Sequence, residues 1–442
     1  MKKDVFLFIC SPSLGTLDSW VSVLHELKNK QPDAQFIFYA HDYYIIKQIE
    51  LNSPLIKLAS EIFTTIVYKD INGAFIESNN FELILKYSFF SNRLNPFLIL
   101  KKILNKLGII KLDSCLNSIM TKINAIIVKI YNLKFINLYQ LKSENLKILY
   151  DVYESSKDAH EDILTKLSEV KKYSICHGNN SHEYLLEELK TRTIVNNYPN
   201  NNTIVFASSE KDAEYYENYY GIKKEFCRVV GIPRHEKKWI DYFMDRYCGN
   251  YEIPFNGNYI FLISRNYGSF MPREEKVRYV KEIYKQAKKY NLKLIIKKHP
   301  DEVCDNSCEE ALPKEECGIG WMVSNLHTFF LGKHSKFAIC FYSGVVSDMI
   351  SIGIPTIEML DSKYAYNLNK NIKDKNSGKN VTEYGYYNLV LVANDNKELD
   401  SHIKRIFNEF EVVVSELKKS YDQVFYKKEN VNEYIANEII WN

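Results

Sequence analysis

The chain has 442 residues and a mass of 51.9 kDa, a length that implies about two to three domains and not one core. Hydrophobic residues make up 46% and charged residues 26%, which excludes a disordered, collagen-like or disulfide-scaffold protein. The 58 basic and 55 acidic side chains leave a net charge of only +3, so there is no global electrostatic case for nucleic acid.

The first elements read as strand Val5 to Cys10, loop Ser11 to Thr16, a helix through Lys30, and strand Phe36 to Ala40. The opening MKKDVFLFICSPSLG has basic residues but too short an apolar run for a signal peptide, and reads as that first strand. Nine dispersed cysteines fit a reducing compartment, so a cytoplasmic protein is expected. No apolar run reaches the roughly 18 to 20 residues of a spanning helix. The segment from Phe97 to Lys142 nonetheless holds eight lysines (101, 102, 106, 111, 122, 129, 134 and 142) against one acid, Asp113. Its apolar residues recur at helical spacing beside them, the pattern of a basic helical insertion that either packs on a core or rests on an anionic membrane surface.

Alternation resumes with strand Leu146 to Tyr150 ending at Asp151, a helical pattern over Ser155 to Val170, and strand Tyr173 to Cys176 running into His177-Gly178-Asn179-Asn180. Strand Thr203 to Phe206, helix Glu210 to Tyr220 and strand Cys227 to Val230, closed by Gly231-Ile232-Pro233, complete a first unit. The stretch Trp239 to Gly257 reads as a connection. A second unit has strands Tyr259 to Ile263, Lys293 to Lys297, Phe337 to Phe341 and Thr356 to Met359, with helices at Glu274 to Tyr290 and Val345 to Ile352. The fold class expected is α/β, two doubly wound Rossmann-like domains facing a cleft. The domains are residues 1–240 with the basic insertion at about 97–142, residues 255–400, and C-terminal helices at 401–442.

In such sheets ligands sit beyond the carboxyl ends of strands, so the loops there are the places for chemistry. Lys297-Lys298-His299-Pro300 puts cations and a hydrogen-bond donor at a strand end, which suits a phosphate. Tyr342-Ser343-Gly344-Val345 turns a strand into a helix, where backbone N–H groups and the Ser343 hydroxyl favour an anion. Ser264-Arg265-Asn266 adds a guanidinium. His177 has the proton affinity for general-base work, and Asp151 and Asp18 are candidate carboxylates for the same task or for a covalent sugar intermediate, with helix capping as the plainer alternative for each. Cys304, Cys308 and Cys317 lack a paired fourth ligand, and GTLDS lacks the Gly-Lys-Ser/Thr ending of a P-loop; neither a metal nor another cofactor is expected.

The order of these loops, SRN, then KKHP, then YSG with Gly353-Ile354-Pro355-Thr356, resembles the donor-binding half of a GT-B glycosyltransferase. The likeness is to the group with cytidine-activated donors: CDP-glycerol glycerophosphotransferases of teichoic-acid synthesis, bacterial polysialyltransferases and capsular Kdo transferases. Upstream, Cys176-His177-Gly178 and the stretch from Ile204 to Gly231-Ile232-Pro233-Arg234 are similar to the His-Gly and Gly-x-Pro-Arg segments of glycerophosphotransferases, so the likeness covers roughly Tyr173 to Leu360. It implies nucleotide and phosphate contacts from His299, Pro300, Ser343 and Gly344, with Arg265, Lys297 and Lys298 adding charge, and a catalytic part for His177. It also implies a metal-independent transferase of bacterial surface polysaccharide (capsule, lipopolysaccharide) synthesis. Its partners would be a cytidine nucleotide-activated donor and a lipid-linked or polysaccharide acceptor.

The chain departs from the group's pattern. Phe341-Tyr342-Ser343-Gly344 stands for Asp-Tyr-Ser-Ser, His235-Glu236 for Asn-Asp, and Asn179-Asn180 follows His-Gly. These differences make a CMP-activated acidic sugar such as CMP-Kdo or CMP-sialic acid at least as good a donor as CDP-glycerol. A nucleotide-sugar epimerase and a non-catalytic polysaccharide-assembly subunit remain the rival classes.

Overall fold

A computed structural model describes residues 3–441 apart from 12, 41–42, 49–51, 71–73, 94–121, 123–124, 127, 142–144, 153–162, 178–202, 269–270, 303 and 369–371. Most of the basic insertion and the residues after His177, Gly178 included, lie outside the described set. Strands are β1 Val5–Cys10, β2 Gln35–Ala40, β3 Thr65–Lys69, β4 Phe75–Ser78, β5 Lys134–Ile136, β6 Leu146–Tyr150, β7 Lys171–Ser174, β8 Thr203–Ala207 and β9 Cys227–Val229 in the first sheet. The second holds β10 Tyr259–Ile263, β11 Lys293–Lys297, β12 Trp321–Val323, β13 Phe337–Cys340, β14 Thr356–Met359 and β15 Leu391–Ala393.

The sheet orders are β5-β4-β3-β2-β1-β6-β7-β8-β9 and β12-β11-β10-β13-β14-β15. All pairs in the second sheet are parallel. The first is parallel except at one edge, where β3, β4 and β5 pair antiparallel. Two doubly wound units were expected, and this edge is the exception: β4 and β5 are short, half-exposed at one end, and need no crossover helix. The strand β5 also ends the basic helical stretch earlier than Lys142.

The central strands are near-continuous apolar runs because helices cover both faces. β1, VFLFIC, is buried at every position, as is β10, YIFLI. The helix Leu14–Lys30 starts where the Ser13 hydroxyl accepts the Gly15 N–H at 3.1 Å, and ends with Lys28 and Lys30 in its last turn. The helix Glu210–Tyr220 is capped by Ser209 and stopped by Gly221 at φ 66°.

The expected connection is mostly not a turn. It forms a helix Lys237–Phe243 continued by a π-helical turn Met244–Cys248, with Trp239, Phe243 and Tyr247 buried. Of the C-terminal helices, Asn396–Val424 packs on the second domain, whereas Val431–Trp441 returns to the first. There Lys147 donates to the Ile440 carbonyl at 3.0 Å, and Asn432 donates to Pro233 and Glu236 at 3.1 and 2.9 Å. Where the chain crosses back, a Cβ on Gly231 would lie 2.1 Å from the Tyr426 carbonyl oxygen, so only glycine fits. No described helix is long and apolar enough to cross a membrane.

Candidate functional site

Strand register brings the chemistry together. In the second sheet Ile263 pairs with both Lys297 and Cys340, so the loops beginning at Ser264, Lys298 and Phe341 leave one row. In the first sheet β1 lies between β2 and β6, and Tyr150 pairs with Ser174, so Asp151 and the residues up to His177 emerge beside the start of the first helix. These are the topological switch points of the two sheets, and they face each other across a cleft of about 560 Å³. Arg265, Lys297, Lys298, His299, Pro300, Ser343 and Gly344 line one wall; His177, Asp18 and Gly15 line the other.

His177 and Asp151 form a dyad. One oxygen of Asp151 accepts the His177 backbone N–H at 3.0 Å and meets ring Nδ1 at 2.5 Å. Asp151 is fully buried, while His177 is part-exposed to the cleft. A buried carboxylate accepts a hydrogen bond from the Nδ1–H, so the ring keeps its proton on Nδ1 and Nε2 is the lone-pair nitrogen. Gly15 lies against the ring, with its Cβ position 3.5 Å from His177 Cδ2.

Asp18 does something else. Its Oδ2 accepts from Arg234 Nη1 at 2.7 Å and its Oδ1 from His327 Nε2 at 2.9 Å. Burial opposes its charge, but His327 and Arg234 hold the carboxyl well below the usual carboxylate range. With both oxygens occupied and so low a proton affinity, Asp18 is a poor proton acceptor at neutral pH, and the pairing favours a structural part for it. Its partner Arg234 reaches Asp348 of the second domain at 3.0 Å. The same Asp348 oxygen accepts His235 Nε2 at 2.6 Å, and His235 Nδ1 accepts from Tyr421 at 2.7 Å. The Gly-x-Pro-Arg segment therefore works as an interdomain tie, and His235-Glu236, the departure from the family pattern, holds the second domain and the returning C-terminal helix.

On the opposite wall, burial lowers the Lys297 ammonium to about 7, with Asp18 opposing the shift. Arg265 donates to the Tyr342 carbonyl at 3.2 Å and lies 4.7 Å over the Tyr342 ring, whose hydroxyl is held by Glu383 at 2.7 Å. The Ser343 hydroxyl accepts the Val345 N–H at 3.3 Å. Lys298 is committed to its own loop, pairing with Glu309 and donating to the Asp305 carbonyl at 2.7 Å. It lines the cleft, but its charge is largely answered there.

His299 has the opposite tautomer to His177. The Asp301 backbone N–H, which can only donate, points at His299 Nδ1 at 3.2 Å; the Asp301 carboxylate lies 3.3 Å from the same nitrogen but out of hydrogen-bond alignment, so the neutral ring carries its proton on Nε2. One wall thus offers a lone pair and the other an N–H donor.

Sequence reasoning missed Asp301 on the cleft wall, and it named Tyr342 only as part of its loop and His327 without this part behind the wall. Among the described residues the one grouping of possible metal ligands is Asp151, Cys176 and His177, with ligand atoms within 4.8 Å of one another. A metal there would have to displace the proton shared by the dyad. Cys308 is buried against Ser264, while Cys304 and Cys317 are exposed.

No protein-family model and no curated protein sequence matches the chain. Solved structures do. Staphylococcus aureus MnaA with UDP is 11% identical, covers 99% of this chain and 96% of its own, and superposes with a TM-score of 0.52. The UDP-GlcNAc 2-epimerase of Neisseria meningitidis bound to UDP-GlcNAc is 12% identical over all of both chains, TM-score 0.52. The wall teichoic acid polymerase TagF with CDPG is 10% identical, covering 99% of this chain and 88% of its own, TM-score 0.52. With its two facing sheets, the cleft at their switch points and the helix that returns to the first domain, the chain has the GT-B fold.

Proposed function

We propose that the protein is a GT-B transferase that uses a cytidine-activated donor, a CMP-linked acidic sugar or a CDP-linked polyol phosphate, to extend a bacterial surface polysaccharide. The observation that carries this is the pairing of a His177–Asp151 dyad on one wall with a phosphate-suited wall of Lys297, Arg265, His299 and Ser343 on the other. His177 Nε2 removes the proton of an acceptor hydroxyl as that oxygen attacks the donor, while Asp151 holds the ring and stabilises the imidazolium that forms. Lys297, Arg265 and the His299 Nε2–H stabilise the negative charge that gathers on the departing nucleotide phosphate. The polymerase TagF with CDPG, among the similar structures, supports an activated-polyol donor of this kind.

The epimerases of the same fold support a second reading, a nucleotide-sugar epimerase. The two part on one assay. A transferase turns over a CMP- or CDP-linked donor only when lipid-linked glycan is added. An epimerase converts a UDP-sugar with no acceptor, and a binding subunit turns over neither. Calorimetry with CMP, CDP and UDP tests the base: binding of UDP alone would overturn the cytidine assignment.

A lipid-linked acceptor suits a protein that rests on the inner face of the membrane. The end of the basic insertion supports such a contact, since Ile126, Ile130 and Phe135 are exposed beside Lys122, Lys129 and Lys134.

A further inference from the structure

The His-Pro turn is built as half of a helix-capping box. His299 takes the cap position, Pro300 follows where a missing N–H costs nothing, and Glu302 reaches back three residues to accept the His299 backbone N–H at 2.5 Å. The Glu302 N–H in turn donates to the His299 carbonyl at 2.9 Å, and the Asp301 N–H donates to the His299 ring. The other oxygen of Glu302 accepts the Ser264 hydroxyl at 2.7 Å, which ties the loop after β11 to the loop after β10. Glu302 is fully buried, and so is Lys276, its counter-ion from the helix Arg273–Lys289, which also reaches Asp305 at 2.6 Å. One carboxylate therefore organises two strand-end loops of the cleft wall and touches no part of the cleft itself.

We propose that Glu302 is the positioning residue of the donor wall: by closing this box it fixes the His299 ring on the cleft wall with its proton on Nε2. That the N–H meets a donor phosphate rests on the transferase reading above; the tautomer does not. A carboxylate one methylene shorter keeps the charge that Lys276 requires but cannot span to the His299 N–H. The turn then loosens, the Asp301 N–H leaves the ring, and His299 samples both tautomers.

The test is Glu302→Asp in the full chain, with selective 15N-histidine labelling to read the ring nitrogens of His299 and calorimetry with CMP and CDP. His299→Gln identifies the resonance. In the wild type His299 should show a protonated Nε2 and a bare Nδ1; in Glu302→Asp the two nitrogens should average, and nucleotide affinity should fall by about tenfold, the size of one charge-assisted hydrogen bond. If donor turnover is observed, the loss should appear in KM as well as in kcat. A folded Glu302→Asp protein with a pure Nε2–H tautomer and wild-type affinity would overturn the proposal, as would a wild-type His299 protonated on Nδ1. Should Glu302→Asp not fold, Ser264→Ala, which removes one of the ties and no charge, should give a smaller shift in the same direction, and no shift would count against it. A wild type that binds no cytidine nucleotide but shows the expected tautomer change would sink the transferase reading and leave the positioning role standing.

Discussion

Asp18 Oδ2 and Arg234 Nη1 lie 2.7 Å apart, 216 residues apart in the chain, and the other arm of the same guanidinium reaches Asp348 across the domain boundary. Two carboxylates on one arginine, with His235 and His327 closing the set, make this the polar centre of the domain contact. Removing one member of a buried charge network leaves the others uncompensated. Arg234→Met should therefore lower stability by about 3 to 5 kcal/mol, and chemical denaturation should show the two domains separating into two transitions. A single unchanged transition would show that the tie contributes nothing.

The pH dependence of this contact has a definite sign. The folded carboxyl of Asp18 is depressed, so its contribution is fully present above the unfolded value near about 4 and is lost as pH falls through the folded value. Wild-type protein should weaken below about pH 4, and Asp18→Asn should flatten that part of the curve. Melting temperatures of both proteins across pH 2 to 7 check it.

The His177–Asp151 dyad predicts a split between turnover and binding. His177→Ala should cut turnover by about 10²- to 10⁴-fold with nucleotide affinity nearly unchanged, because in the proposed reaction the ring acts on the acceptor hydroxyl and not on the nucleotide. Asp151→Asn should lose a comparable amount, since an amide NH₂ in the carboxylate's place turns the ring proton to Nε2. Parallel calorimetry and turnover measurements decide. A large loss of nucleotide affinity in His177→Ala would move the residue to the donor site.

Lys297 predicts proton uptake. Buried in the wall, its amine titrates near about 7, whereas an unfolded lysine titrates near about 10.5. The folded protein therefore gains stability as pH rises from about 7 to 10, because the unfolded chain still binds the proton there. A phosphate reverses the preference and draws the proton back onto the amine. Nucleotide affinity should fall as pH rises through 7 to 9, and calorimetry at pH 8 in buffers of different ionisation enthalpy should report net proton uptake. Lys297→Met should abolish the uptake; uptake that persists would assign it elsewhere.

The interdomain tie, the dyad and Lys297 mark how far the sequence could be read. The strands β10, β11 and β14 fall where their apolar residues cluster, because buried parallel strands are near-continuous apolar runs, with Lys297, Thr356 and Glu358 the buried exceptions. Three-residue strands such as β12 and β15 carry too short a pattern to stand out, and at the antiparallel edge β4 follows β3 too closely for the strand-helix alternation to mark it. His177, Arg265, Lys297, His299 and Ser343 could each be named singly from a place at or after the end of a strand. Their pairings could not. Asp151 meets His177 only because β6 and β7 are neighbours, and Asp18 meets Arg234 only because the chain returns after two hundred residues. The box in His299-Pro300-Asp301-Glu302 was written in the local sequence, disguised by a histidine where serine or threonine is usual.

The exposed end of the basic insertion makes the last prediction. Val128 and Leu133 are buried and anchor the segment, while Ile126, Ile130 and Phe135 are 58%, 70% and 55% exposed. Ile126 and Ile130 are four residues apart, and Lys122, Lys129 and Lys134 near them in sequence are exposed too, so exposed apolar side chains and cations alternate along this segment. That is the surface an anionic bilayer takes: side chains enter the headgroup boundary and each lysine near the surface adds about 1 kcal/mol. The attraction decays within a Debye length of about 8 to 10 Å at moderate salt. The protein should co-sediment with phosphatidylglycerol vesicles at low salt and be released near about 0.5 M salt, where screening is far shorter. Lys122→Glu with Lys129→Glu should weaken the salt-sensitive part, and Ile126→Ser with Ile130→Ser should weaken binding at every salt concentration. Equal sedimentation with neutral vesicles, or none at low salt, would leave the patch without a membrane role.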